Sequence, residues 1–159
     1  MGRLLILFTL CVLPALVTAT RPARNPFIVQ GSVYCDTCRA GFETSATTCI
    51  PDAKVRLECK DRDSLQLLYS IEGVTDSTGK YKILVADDHE DQLCDAVLVS
   101  SPQGDCATVD PGRDRAAVIL TRYNGIISDN RFANSMGFLK DQPLSECTQL
   151  LKQYQEEEE

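Results

Sequence analysis

The stretch "VYCDTCRAGF" (residues 33–42) puts two cysteines three positions apart at the end of a strand-like run, followed at once by Arg39 and an Ala-Gly pair. A Cys-x-x-Cys pair can be a redox centre, half of a zinc site, or the ends of two unrelated disulfides. A thioredoxin-like dithiol needs its reactive cysteine at a helix N-terminus, where backbone N–H groups stabilise the thiolate. Here the motif closes the β-rich run "FIVQGSVYC" (27–35), and no βαβ pattern follows. If the strand continues through the motif, side chains three apart point to opposite faces, so the two sulfurs take different partners. Separate structural disulfides are the favoured reading; redox catalysis, a local bridge and a metal site are the alternatives left open.

Compartment bears on that choice. The opening "MGRLLILFTLCVLPALVTAT" has one charge, Arg3, an apolar run to about Val17, and Val17 and Ala19 at positions −3 and −1 of a cleavage site. Residues 1–19 are therefore expected to be a signal peptide, and the run is too short for a comfortable membrane span. Without it the chain carries 15 basic and 23 acidic residues, since Arg3 is the only charge lost. A net acidic chain with no basic stripe argues against nucleic acid or anionic lipid as a partner. No later stretch suggests membrane insertion or a lipid anchor, and "QEEEE" is not a retention signal. Secretion into the extracellular space or cell wall is the expected localisation. In that oxidising setting Cys35, Cys38, Cys49, Cys59, Cys94, Cys106 and Cys147 read as a disulfide framework with one cysteine over. Composition alone allows roughly 105 ways to leave one out and pair six.

Residues 20–26, with two prolines and no periodicity, read as an extended arm. Short strand patterns follow: 27–35, "AKVRLECK" (53–60), "LQLLYSI" (65–71), "KYKILVA" (80–86), "CDAVLVSS" (94–101) and "AAVILT" (116–121). In 53–60, Val55, Leu57 and Cys59 alternate with Lys54, Arg56, Glu58 and Lys60, the mark of a half-buried antiparallel strand. "GVTDSTGK" lacks the spacing of a phosphate loop and reads as a hairpin turn. In "PLSECTQLLKQYQ" (143–155), Leu144, Cys147, Leu150, Leu151 and Tyr154 are spaced for one face of a short C-terminal helix. The expected fold is all-β, an antiparallel barrel or sandwich of about seven strands. It occupies residues 27–155, with 156–159 an acidic tail.

Catalytic and metal chemistry find little support. His89, the chain's one histidine, sits in "ADDHEDQ" (86–92) and reads as a solvated loop residue among four acids. A hydrolytic triad would have to use it. A zinc site lacks a second ligand pair, and "DDHED" (87–91) lacks the spacing and glycine of a calcium loop. No catalytic residue, metal ligand or cofactor is assigned, and the chain is read as a non-enzyme. There is no Trp for sugar stacking and no N-x-[ST] sequon.

The stretch "QGSVYCDTCRAGF" (30–42) resembles the signature of the plant pollen allergen Ole e I-like family. The likeness continues through "AKVRLECKD", "GVTDSTGKY", "DHEDQLCDAVLVSSPQGDC", "GFLKD" and "PLSEC", covering about Phe27 to Leu151. "RDRAAVILTR" and the acidic tail look most like the pollen-specific members. The resemblance implies a secreted β-barrel or sandwich with bridges Cys35–Cys106, Cys38–Cys147 and Cys59–Cys94, each contributing roughly 2–4 kcal/mol, not additively. Cys49 falls outside that pattern, leaving it as the free-thiol candidate. By the same resemblance the chain is expected to be an interaction or signalling protein of the apoplast or wall, in pollen development and tube growth. Its partner would be an extracellular protein such as a receptor ectodomain, or a wall component, met by loops 39–49, 86–92 and 123–132. Inhibition of secreted hydrolases, with 39–49 as the inserting loop, is the alternative. Native-state alkylation followed by peptide mass mapping should label Cys49 and leave the other six unmodified; labile thiols at Cys35 and Cys38 would overturn the structural reading.

Overall fold

Phe27, Val29, Val33 and Cys35 are all buried, and they alternate with Ile28, Gln30 and Ser32, which stay half-exposed. That period of two makes Phe27–Asp36 (β1) a strand with one face in the core. The computed structural model describes residues 24–156. The proposed signal peptide 1–19, residues 20–23 of the arm and 157–159 of the tail lie outside the described residues, while 24–26 form no regular element.

β1 has neighbours on both edges, and they change half-way along it. Its first half pairs antiparallel with Lys80–Val85 (β5) and parallel with Asn130–Phe132 (β9). Its second half pairs antiparallel with Thr48–Cys49 (β2) and parallel with Met136–Leu139 (β10), and β10 in turn pairs with Thr108–Val109 (β7). A second sheet runs β4 (Leu67–Val74), β3 (Lys54–Asp61), β6 (Gln92–Ser100), β8 (Arg115–Val118), antiparallel throughout. The two sheets face each other as a sandwich that does not close into a barrel. Between them lie Phe27, Val29, Val33 and Ile83 of one sheet and Val55, Leu57, Ala96 and Val118 of the other. Seven strands have four or more residues, in line with the expected number, and β2, β7 and β9 are short additions. The two parallel ladders differ from the antiparallel expectation. They arise because the chain returns to β1 at 130–139 after long connections, and only adjacent hairpin strands must run antiparallel.

Another difference lies at 75–80. The turn "TDSTGK" joins strands of different sheets and not a β-hairpin: β4 pairs with β3, whereas β5 pairs with β1. Thr75 explains the departure. Its buried hydroxyl donates to Ile50 O at 2.6 Å and accepts from Ala53 N, pulling the chain off the second sheet. Asp76 then closes the turn, its Oδ1 accepting from Thr78 N, Thr78 Oγ1 and Lys80 N. These bonds, the Thr78 hydroxyl first, hold the Asp76 carboxyl below its ordinary value. Gly79 has φ +72°, and a Cβ there would lie 2.7 Å from Cys49 Cβ and 2.8 Å from Val33 O. Its own carbonyl accepts from Val33 N at 2.8 Å, just where β1 exchanges one set of neighbours for the other.

The helix Cys147–Glu156 (α1) presents Cys147, Leu150, Leu151 and Tyr154 inward, and Leu144 reaches the same side from the turn before it. Cys147 is the buried member, bridged to Cys38. Gly79→Ala is expected to destabilise the fold by about 2–4 kcal/mol, combining left-handed backbone strain with a collision against backbone; chemical denaturation with an unchanged slope would show it.

Candidate functional site

The two ends of β1 lie roughly 30 Å apart at about 3.3 Å per residue, and each organises a different loop region. At the far end the strand stops at Asp36, whose buried carboxylate folds the chain over. Its Oδ1 accepts from Cys38 N and Ala40 N, and its Oδ2 from Gly41 N at 2.8 Å. Cys38 thus leaves the strand in a turn. It meets Cys147 under α1, while Cys35 stays in the strand and bridges to Cys106 in the core. The two sulfurs diverge because the chain turns, not because one strand alternates through both. Loop 39–49 lies against the helix: Ser45 N donates to Tyr154 Oη, Thr37 Oγ1 donates to Ala46 O, and Phe42 packs edge-on against Tyr154. Cys49 is free and exposed on the edge strand β2.

At the Phe27 end, loops 86–92 and 123–132 come together. His89 N donates to Leu120 O, and Arg122 N donates to Asp88 Oδ2 at 2.9 Å. Arg122 and Arg131 place their guanidinium groups 4.4 and 4.7 Å from the Phe27 ring centroid. Arg122 also pairs with Asp129 and donates to Asn25 O. The Arg122 contact comes first among the causes that lower the Asp129 carboxyl. Arg131 is 3% exposed and acts as a peg: it donates to Ser128 O, Asn130 O and Thr121 O. Those carbonyls stand at both feet of the 122–130 loop, so one buried cation closes it as an Ω-like loop. The loop carries apolar side chains outward. Ile127 is 96% exposed, Tyr123 67% and Phe132, just after it, 75%; Ile126 is also exposed. A cleft of about 610 Å³ opens beside Tyr123, lined also by Arg24, Phe27, Arg122 and the exposed acids Asp87 and Asp88.

His89 is not the solvated residue expected from its acidic neighbours. The ring is buried and tilted against Tyr69 at 4.7 Å between centroids, with Nδ1 3.1 Å from Gln92 Oε1. The carboxylates of its loop face solvent and the imidazole turns inward, toward the Cys59–Cys94 bridge that joins β3 to β6.

A family model described as "Pollen protein Ole e 1 like" matches residues 25–155. The chain belongs to this family. It is 49% identical over 148 residues to the pollen-specific protein C13 of Zea mays, covering 93% of this chain and 87% of the relative. It is 50% identical over 149 residues to the protein DOWNSTREAM OF FLC of Arabidopsis thaliana, covering 94% and 90%. The crystal structure of the major plantain pollen allergen Pla l 1 superposes with a TM-score of 0.68 at 31% identity, covering 75% of this chain and 97% of that one. The maize relative is named for pollen specificity and the plantain structure as a pollen allergen.

Two of the three loops singled out in the sequence therefore share one end of this Ole e 1-like sandwich, and the third lies at the other. Arg131 went unnoticed because an arginine in "SDNRF" looks like any loop charge. The signal that could have marked it is Phe27 and Arg122, which become neighbours only after folding. Arg131→Met should lower stability by about 1–3 kcal/mol, because the three carbonyls lose a charged, buried donor. It should also speed amide exchange across 122–130 while β3 and β6 stay protected.

Proposed function

We propose that this Ole e 1-like chain is a secreted, non-enzymatic binding protein of the plant extracellular space, working in the apoplast or cell wall during pollen development and tube growth. It engages an extracellular protein such as a receptor ectodomain through its Phe27 end. The single observation that carries this reading is the loop built around Arg131, which holds Ile126, Ile127 and Tyr123 out in solvent on a fixed base. Isolated exposed apolar residues are ordinary on protein surfaces. A cluster of them on a pinned loop resembles the anchors of a binding site, where a few large side chains carry most of the energy. Asp87 and Asp88 border the cleft beside Tyr123, and a partner with an apolar socket edged by basic residues fits that pattern. Three bridges tie the frame on which these loops are mounted.

The test is affinity capture from pollen and stigma extracts at physiological salt, comparing the native chain with an Ile126→Ser/Ile127→Ser variant. The native chain should retain a defined protein. The variant, folded by circular dichroism, should lose it by at least about tenfold in affinity, some 1.4 kcal/mol. Equal capture by both, or no specific capture by either, would overturn the assignment; retention on wall polysaccharide alone would move it to a wall component.

A further inference from the structure

Gln30 stands at the centre of a row that crosses three strands. It pairs with Lys82 of β5 on one edge of β1 and with Phe132 of β9 on the other. Val29 beside it faces the core, as do Tyr81 and Ile83 beside Lys82, so the row lies on the outer face of the sheet. Two ladder steps put the backbones of Lys82 and Phe132 roughly 10 Å apart. The Phe132 ring is largely in solvent. Gln30 donates its amide N–H to Asn130 Oδ1, which leaves its amide oxygen as an acceptor. In the next row Lys80 pairs with Ser32. Both lysines are exposed, and neither ammonium has a carboxylate partner among the described residues. Both rows line a cleft of about 390 Å³, together with Asp76, whose carboxylate is already engaged by Thr78 and the Lys80 backbone N–H.

The Ser32 hydroxyl joins this cleft to a second one. It lies 2.8 Å from Ser135 Oγ, and Ser135 lines a polar cleft of about 490 Å³ with Glu43, Arg113, Arg115 and Asn134. Arg113 is held in place there, because its Nη1 donates to the Oη of the buried Tyr34. Its Nε and Nη2 have no partner among the described residues. Arg115 is tied to Asp95 and Asp114, so Arg113 is the freer cation of the two. Four cations and two carboxylates thus line adjoining clefts in a chain whose net charge is −7. The sequence shows no basic stripe because Lys80 and Lys82 come beside Arg113 only across the fold.

We propose that these clefts form a binding track for a linear polysaccharide of uronic acids. Its carboxylates pair with Lys80, Lys82 and the fork of Arg113. Its hydroxyls donate to Gln30 Oε1 and Glu43 and accept from the Asn134 amide. One sugar ring lies on Phe132, whose face carries the partial negative charge that ring C–H groups meet. The two carboxylates decide against a denser polyanion. Nucleic acid carries a charge at every phosphate, and Glu43 and Asp76 would oppose it. For a sugar acid Glu43 is an acceptor, and Asp76 is satisfied within its own turn. The track needs neither Ile126 nor Ile127, and it stands apart from the protein partner assigned to them.

The experiment is calorimetric titration of the purified protein with three probes. These are a polygalacturonate oligomer, the same oligomer as its methyl ester, and single-stranded DNA of matching length. The polygalacturonate oligomer should bind, and more weakly as salt rises. Its methyl ester should bind at least about fivefold more weakly, and Lys80→Gln/Lys82→Gln should lose a similar factor for the acid form, as expected of two exposed ion pairs. Arg113→Gln should weaken binding by about tenfold, because the lost fork is a fixed one. Phe132→Ser should weaken binding without altering its salt dependence, since the ring carries no charge. Ile126→Ser/Ile127→Ser should bind as the native chain does. No binding of the oligomer, equal binding of the ester or of DNA, or full affinity in both the lysine and the Arg113 variants would overturn the proposal. So would a loss confined to the Ile126/Ile127 variant, which would put the sugar at the Phe27 end.

Discussion

The structure depends on β1 having partners at both edges over most of its length. Four strands supply these partners, two for the first half and two for the second. A strand so placed has no free row of N–H and C=O groups, and its core face is fully committed. The handover occurs at Val33, whose N–H donates to Gly79 O and whose carbonyl accepts from Ile50 N. Three distant segments therefore meet at one residue pair. The space between them is small enough that Gly79 can carry no side chain.

From that spine the molecule acquires two unlike ends. At Asp36 a buried carboxylate turns the chain, and two bridges bind the turn to the core and to α1. At Phe27 there is no bridge within the loops; two guanidinium groups on one aromatic ring and a few backbone carbonyls hold them instead. Covalent closure leaves little freedom at the first end. Non-covalent pegging at the second fixes the feet of the loop while its apolar tip stays in water. The frame at one end is thus locked covalently, while the loops at the other end rest on weaker contacts.

Much of the architecture was legible along the chain. Val55, Leu57 and Cys59 announced β3 by their alternation, and all three are fully buried. The face of α1 read from Leu150, Leu151 and Tyr154 is the face that packs. Short-range spacing suffices for such elements because the physical cause, one wet face and one dry, acts residue by residue. The turn at 75–80 was legible as a turn but not in its role, since nothing local says which sheet the next strand joins. β9 and β10 were missed because parallel additions of three or four residues leave almost no periodic trace.

His89 shows where such reading ends. Four acidic neighbours imply a solvated ring, yet burial is set by Leu120, Tyr69 and Gln92, which approach it from other strands and across its own loop. Alternation, turn chemistry and cysteine content by themselves determined that this chain makes a disulfide-bonded β domain with a terminal helix. Only the tertiary structure decided which loops share a surface, which arginine closes the presented loop, and which histidine faces a disulfide. Those are relations between residues distant in the chain, and they exist only once both sheets have packed.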